Sequence, residues 1–276
     1  MNPDKTKRAG VVRIGVGGWI FEPWRGVFYP DGLPQKDELA YMSQCLTAIE
    51  INSTYYGSQK PETFRKWADQ TPDGFVFTLK GSRFSTNRRV LGEAGESVQR
   101  FFAQGVLELG DKLGPVLWQF APTKTFDEAD FEAFLKLLPK EAGGRRLRHC
   151  VEVRHHSFQV PAFAALLRRH ETPVVFADHA SYPALADVTG DFVYARLQTG
   201  SDDIATAYAE EDLDAWAERL NTWAKGARPA DLPAADPGHM ADPAPREVFA
   251  FVIHEGKVRA PAAAMALIER VGRPVI

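Results

Sequence analysis

Cysteine is scarce in this chain: two among 276 residues, Cys45 and Cys150. They lie far apart with no metal-type spacing, so neither a disulfide framework nor a thiolate metal site is indicated. Cys150 sits in an apolar, strand-like run and Cys45 near a helix end, and both read as buried free thiols. Nothing in this usage implies an oxidising compartment. Long apolar runs are missing as well. None approaches the roughly 18 residues of a membrane span. Met1 to Gly10 is polar and charged, without the apolar centre of a secretory signal. The expectation is a soluble, cytoplasmic protein with no membrane partner, residues 1–10 forming a disordered or extended tail. There is no excess of one charge: a formal net charge of −3 and a pI near 6.2 give no global pull toward nucleic acid or anionic lipid. Several catalytic signatures are absent too. No P-loop and no G-x-S-x-G elbow occur, which argues against nucleoside triphosphate hydrolysis and serine nucleophiles.

What the chain does contain is alternation. Short, β-branched, apolar runs recur at Val11–Val16, Thr47–Asn52, Phe75–Lys80, Val116–Phe120, Leu147–Arg154, Pro173–Asp178, Phe192–Leu197 and Val248–His254. Helical patterns separate them at Gln35–Cys45, Pro61–Gln70, Glu96–Leu113 (stopped by Gly114-Pro115), Asp127–Leu138, Val160–His170 and Glu210–Gly226, with Pro261–Val271 closing the chain. A short helix over Ser181–Ala186 completes the set. Strands that are apolar on both faces and alternate with helices imply a parallel, covered sheet. Eight such units in this length predict one (β/α)8 TIM-type barrel over residues 11–276. The Pro/Ala-rich segment 226–246 is read as a mobile loop before the last strand. A doubly wound sheet is disfavoured, because Gly15-Val16-Gly17-Gly18 lacks the later glycine of a dinucleotide fingerprint.

Barrels of this kind place functional groups at the C-terminal ends of their strands. Reading the last inward position of each run gives Glu50 and Asn52, Lys80, Gln119, Glu152 and Arg154, Asp178, Arg196 and His254, with Trp19 beyond the first strand and His155 beyond the fifth. Buried charge is a poor route to stability, so this concentration at one end predicts a binding pocket. Glu50, Glu152 and Asp178 are the candidate acids and bases. Lys80, Arg154 and Arg196, with Arg83 in the loop after strand three, suit an anion. Trp19, Trp24, Tyr55 and Tyr56 offer flat walls for a sugar ring or base. Glu50 is expected to face Lys80 on the neighbouring strand. A divalent metal on Glu50, Glu152, Asp178 and His254 is the less favoured alternative, because H-x-H and H-E-x-x-H spacings are missing and the cations compete for the carboxylates. No other cofactor is indicated. The cluster Arg145-Arg146-Leu147-Arg148-His149 precedes strand five and reads as a solvated rim at the opposite end. The first expectation is therefore an enzyme of hydrolase or lyase type acting on a small anionic or sugar-like ligand. The alternatives are a nucleic-acid processing protein, against which the acidity counts, and a non-catalytic ligand-binding protein.

The same residues carry a resemblance. Gly18-Trp19, Trp24-Arg25-Gly26, Phe28-Tyr29-Pro30, Glu50-Ile51-Asn52-Ser53-Thr54-Tyr55-Tyr56, Leu113-Gly114-Pro115 with Gln119, Glu152-Val153-Arg154-His155, Asp178, Tyr194 with Arg196, and Ala260-Pro261 resemble the YecE-like family, domain of unknown function 72, from about residue 12 onward. The resemblance implies a TIM-type barrel with a pocket at the strand C-terminal ends, and no activity. The chain departs from the family pattern at Phe158, where tryptophan is common, at Arg196-Leu197-Gln198-Thr199-Gly200, and at His254, where strand eight commonly ends in asparagine. Substrate differences are expected to sit at those places.

Overall fold

A computed structural model describes residues 10–274; the tail 1–9 and the last two residues lie outside the described residues. Eight parallel strands form one sheet: β1 (Val12–Gly17), β2 (Ala48–Ile51), β3 (Val76–Lys80), β4 (Leu113–Gln119), β5 (His149–Glu152), β6 (Val175–Asp178), β7 (Phe192–Thr199) and β8 (Glu247–Glu255). The order is β5-β4-β3-β2-β1-β8-β7-β6. Its two edges meet at one parallel bridge, Val151 to Val174, where the Val151 amide donates to the Pro173 carbonyl. The sheet thus curls into a nearly closed barrel.

The covering helices are α1 (Glu38–Cys45), α2 (Ser53–Tyr56), α3 (Pro61–Asp69), α4 (Arg83–Thr86), α5 (Gly95–Ala103), α6 (Glu128–Leu137), α7 (Pro161–Arg169), α8 (Glu210–Ala224) and α9 (Ala260–Val271). Proline in the first turn of α3, α7 and α9 pre-sets the backbone where no intrahelical donor is needed. On α8, Leu213, Trp216, Leu220 and Trp223 are buried, as their spacing requires. None of the helices among the described residues is long and apolar enough to cross a membrane.

Strand pleat divides the core in two. A small inner cluster fills the barrel: Ala48, Val76, Leu117, Cys150, Val175, Phe192, Tyr194, Phe249, Phe251 and Ile253. The larger cluster lies between strands and helices and takes the alternate positions, such as Ile49, Phe77, Val151 and Phe176. Gly15 keeps β1 close to β2. A Cβ there would stand 1.9 Å from the Ala48 carbonyl oxygen, its direct cross-strand neighbour.

Three expectations change. The long helix over Glu96–Leu113 is instead α5 and a 3-10 segment, Val106–Lys112, broken by Gly105 (φ 103°) and Gly110 (φ 57°). Gly114-Pro115 does not stop that helix but lies within β4, where an added Cβ at Gly114 would meet Val76 and the Phe77 carbonyl. Residues 181–186 form no helix, so β6 leads to β7 through irregular chain. The segment 226–246 has no helix or strand but is fastened: Arg246 donates to the carbonyls of Gly226, Ala244, Asp242 and Gly190, and Asp187 accepts from the amides of Ala235 and Asp236.

Candidate functional site

The C-terminal ends of the strands enclose a cleft of about 980 Å³. Every strand except β6 contributes to its lining, directly or through the residues just beyond its end. Gly17 and Gly18 leave the space open on the β1 side; a Cβ on Gly17 would stand 3.1 Å from the Asn52 amide nitrogen.

The floor is a charge network built on alternate residues of β2, β4, β5 and β7. Arg196 is its centre. Its Nε and Nη2 donate to Glu50 Oε2 and Oε1 at 3.1 and 3.0 Å, a two-pronged grip, while Nη1 donates to Glu152 Oε2 at 2.5 Å. Thr78 donates to the Tyr194 hydroxyl, which donates to Glu50 Oε2 at 2.7 Å. Arg154 donates to Glu152 Oε1 and to Gln119 Oε1, and its guanidinium lies over the Tyr182 ring at 4.4 Å. Glu50 and Glu152 are fully buried. Burial pushes the Glu152 carboxyl up, but Arg196, Arg154 and Lys80 outweigh it and hold it below the usual range. Both carboxylates are partners of Arg196, beneath the cleft rather than on its wall.

Lys80 differs from its neighbours. It lines the cleft at 6% exposure; its ammonium has no hydrogen bond or ion pair with any described residue and stands 4.4 Å over the Tyr55 ring. Burial and the positive charge of Arg196 bring its pKa down to about 8, against the opposing pull of Glu50 and Glu152, with Arg154 adding to the decrease. The expected Glu50–Lys80 pair does not form, because Arg196 and Tyr194 occupy the Glu50 oxygens. Counting Glu50 and Glu152 against Lys80, Arg154 and Arg196 leaves the floor with one uncompensated positive charge.

The remaining candidates divide cleanly. Trp19, Trp24, Asn52, Tyr55, Tyr56, Gln119, Arg154 and Arg196 line the cleft with Lys80. Trp24 is buried and donates to the Lys257 carbonyl, so it supports the wall more than it faces the opening. Asn52 donates to Glu50 Oε1 at 3.2 Å. Arg83 sits outside the cleft on α4, 5.8 Å from the Tyr56 ring centre. His155 is turned to cap the 3-10 turn that follows it, accepting from the Ser157 amide. Asp178 is on the wrong pleat: Val175 belongs to the inner cluster and Phe176 to the outer. Its carboxylate accepts from Thr199 at 2.5 Å and feels Arg219 and Asp212 of α8, while burial raises its pKa. His254 lies on β8, but its side chain is outside what the structure describes; Ile253 lines the cleft there.

Gln198 was not among the expected residues. It lines the cleft at 2% exposure, and its amide nitrogen is buried with no hydrogen-bond partner among the described residues. Alternation from Tyr194 and Arg196 along β7 points to it. The basic cluster before β5 is also more than a rim. Arg145 and Arg146 make exposed pairs with Asp111 and Asp191. Arg148 reaches Glu247 under the barrel, and His149, its pKa lowered to about 4 by burial, accepts from the Trp118 indole. A smaller hollow of about 260 Å³ between α4 and α5 is walled in part by Glu96 and Arg100, which are exposed and paired with each other. No group of three or more His, Cys, Asp or Glu side chains is arranged to hold a metal ion among the described residues.

Comparison with known proteins gives the family and no activity. The chain is 28% identical over 151 residues to UPF0759 protein YecE of Escherichia coli (strain K12), covering 54% of this chain and 50% of that one. It is 26% identical over 159 residues to UPF0759 protein YunF of Bacillus subtilis (strain 168), 55% and 54% of the two chains. These matches span about half the length of the curated relatives. In structure it is similar to a DUF72 family protein from Thermotoga maritima (TM-score 0.68, 22% identity, 93% of this chain and 96% of that one). It is also similar to one from Enterococcus faecalis (TM-score 0.64, 15% identity, 94% and 96%); both likenesses concern the fold. The family model described as "Protein of unknown function DUF72" matches residues 13–275, through all eight strands and the cleft they carry, and the chain belongs to that family.

Proposed function

We propose that the cleft binds a small anionic ligand with a flat or ring-shaped part and that the protein is an enzyme using Lys80 for acid–base chemistry on it. The observation that carries this reading is Lys80 itself: a buried cation at a strand C-terminal end, without an ion pair among the described residues, with its pKa lowered to about 8. A lysine so tuned gives up and takes back a proton near neutral pH. Tyr55 and Trp19 supply a surface for an apolar ring face. Gln198 and Gln119 supply amide groups that a sugar-like or carboxylate ligand can engage, the Gln119 oxygen already being held by Arg154. Glu50 and Glu152 pass from candidate acid and base to supports of Arg196, and Asp178 leaves the site.

The test is a thermal-shift series with phosphate, sulfate and sugar acids on the wild type and on Lys80→Gln. A ligand-dependent rise in melting temperature in the wild type that falls at least about tenfold in apparent affinity in the variant supports the reading. Equal responses in the two proteins, or none in either, overturn it. Arg196→Ala is the poorer variant, because it strands two buried carboxylates.

A further inference from the structure

Lys80 offers more than a charge. Of the described lysines it alone is buried. Others are committed elsewhere: Lys112 donates to the carbonyls of Ala68 and Thr71, Lys124 pairs with Asp130, and Lys136 with Glu132. Lys257 also lines the cleft but is exposed, over the Phe21 ring. The Lys80 amine therefore faces the cleft with no hydrogen bond or ion pair to any described residue, over the Tyr55 ring. Its backbone carbonyl accepts from Thr54, which fixes the strand end that carries it.

We infer that Lys80 is an imine-forming nucleophile and that the ligand class is a small anion bearing an aldehyde or ketone. The inference rests on the anion-binding reading of the cleft and names its substrate class. The free amine attacks the carbonyl carbon; the C–N bond forms as the carbonyl π pair moves to oxygen, which takes up a proton. The resulting carbinolamine loses its oxygen as water, and the nitrogen lone pair completes a protonated C=N bond. Starting from the ammonium and the carbonyl compound, the products are the iminium and one water, with charge conserved. An imine at this position is an electron sink for bond cleavage or proton loss at the adjacent carbon, which is lyase chemistry.

The surroundings favour the free amine. Around Lys80 stand Glu50 on β2, Glu152 and Arg154 on and after β5, Arg196 on β7 and Tyr55 on α2. Burial, Arg196 and Arg154 oppose the ammonium more than Glu50 and Glu152 favour it. At pH 7 about a tenth of Lys80 is then unprotonated, against well under a thousandth for an ordinary lysine. Arg154, which lines the cleft with Lys80, offers its guanidinium to the ligand's anionic group while the amine is neutral.

The experiment is reductive trapping. The full chain is incubated with pyridoxal 5′-phosphate, an anionic aldehyde with a flat ring, and separately with pyruvate. Sodium borohydride is added, and peptide mass mapping locates the adduct. The expected result is a saturable adduct on Lys80, at least about tenfold above that on exposed Lys36, Lys60 and Lys257, and diminished by inorganic phosphate. Lys80→Arg is expected to lose that adduct and keep a phosphate-induced thermal shift. Should that variant fail to fold, wild type carries the test: trapping at Lys80 rises to half its maximum near pH 8, not at the 10.5 of an ordinary lysine. An adduct spread over exposed lysines, or half-maximal trapping near 10.5, overturns the imine. If phosphate still raises the melting temperature in that case, the anion reading survives it. Absence of both adduct and thermal shift removes both.

Discussion

At the scale of the residue, Lys80 and Arg196 show two opposite uses of a buried cation. Arg196 is satisfied on every side: its fork meets both oxygens of Glu50 and one of Glu152. Lys80 has no such partner among the described residues, and its lowered pKa states that the charged form is disfavoured in the fold. Lys80→Met should therefore stabilise the protein, by about 1–3 kcal/mol at pH 7, while abolishing the response to anions. The sign follows from proton binding. The folded pKa is near 8 and the unfolded one 10.5, so between those values the unfolded chain holds more protons and wild-type stability rises with pH. The advantage of Lys80→Met is then full below pH 8 and fades toward 10.5. Urea unfolding at pH 7 and pH 10 checks this. A variant less stable than wild type at pH 7 would mean that Lys80 is held by attractions stronger than its burial.

At the scale of the element, pleat decides which side chains reach the cleft, and strand edges set the limits of what the sequence reveals. Alternation within the apolar runs placed Glu50, Lys80, Gln119, Glu152 and Arg196 correctly on the inner face, because each shares a parity with an inward apolar residue such as Ala48, Val76 or Tyr194. It does not extend to Asp178, which ends its strand off the inner parity, since two-residue steps from Val175 lead to Ala177. The eight strands were legible because each is a short apolar run between breakers. The break at Gly105 was not, since a glycine in a helical pattern costs only about 1 kcal/mol and the positive φ that forces it there is a tertiary demand: Pro61 lies 2.7 Å from where its Cβ would be. The grip of Arg196 on Glu50 is hidden for a different reason. Strand order places β7 across the barrel from β2, and the sequence offered the neighbouring strand's Lys80 as the nearer partner for Glu50. Close packing also yields a prediction. Gly15→Ala would press a Cβ onto the Ala48 carbonyl and force β1 from β2. Backbone cannot yield as a side chain does, so a loss of about 2–4 kcal/mol is expected in chemical denaturation. A change within about 0.5 kcal/mol would show that the two strands can part without consequence.

At the scale of the whole molecule, the barrel is closed at both ends by charge, and the two closures differ in a way that separates stability from function. Below the strands, Glu247 at the start of β8 accepts from Arg13 Nε and Arg148 Nη1, each at 2.5 Å, and Arg13 also donates to the Gly74 carbonyl. Burial pushes the Glu247 carboxyl up, but Arg148 and Arg13 pull it below the usual range. At this end Arg13 and Arg148 are both engaged by Glu247, whereas at the upper end Lys80 has no ion pair among the described residues and stands over the Tyr55 ring. Glu247→Gln removes the buried negative charge that faces both Arg13 and Arg148 and should cost about 3–5 kcal/mol at pH 7 while leaving the phosphate-induced thermal shift intact. Acid should erase the difference. Glu247 and Glu152 have folded pKa values below their unfolded value of 4.5, so their stabilisation is present above that pH and is lost as pH falls through the folded values. Wild type and Glu247→Gln should accordingly converge below pH 4.5, and Arg196→Ala, unlike Glu247→Gln, should lose stability and anion response together. Denaturation at pH 7 and pH 3, paired with phosphate titration at pH 7, distinguishes the two ends. A Glu247→Gln protein that keeps its stability but loses its response to phosphate would place the ligand at the bottom of the barrel and overturn the assignment of the upper cleft.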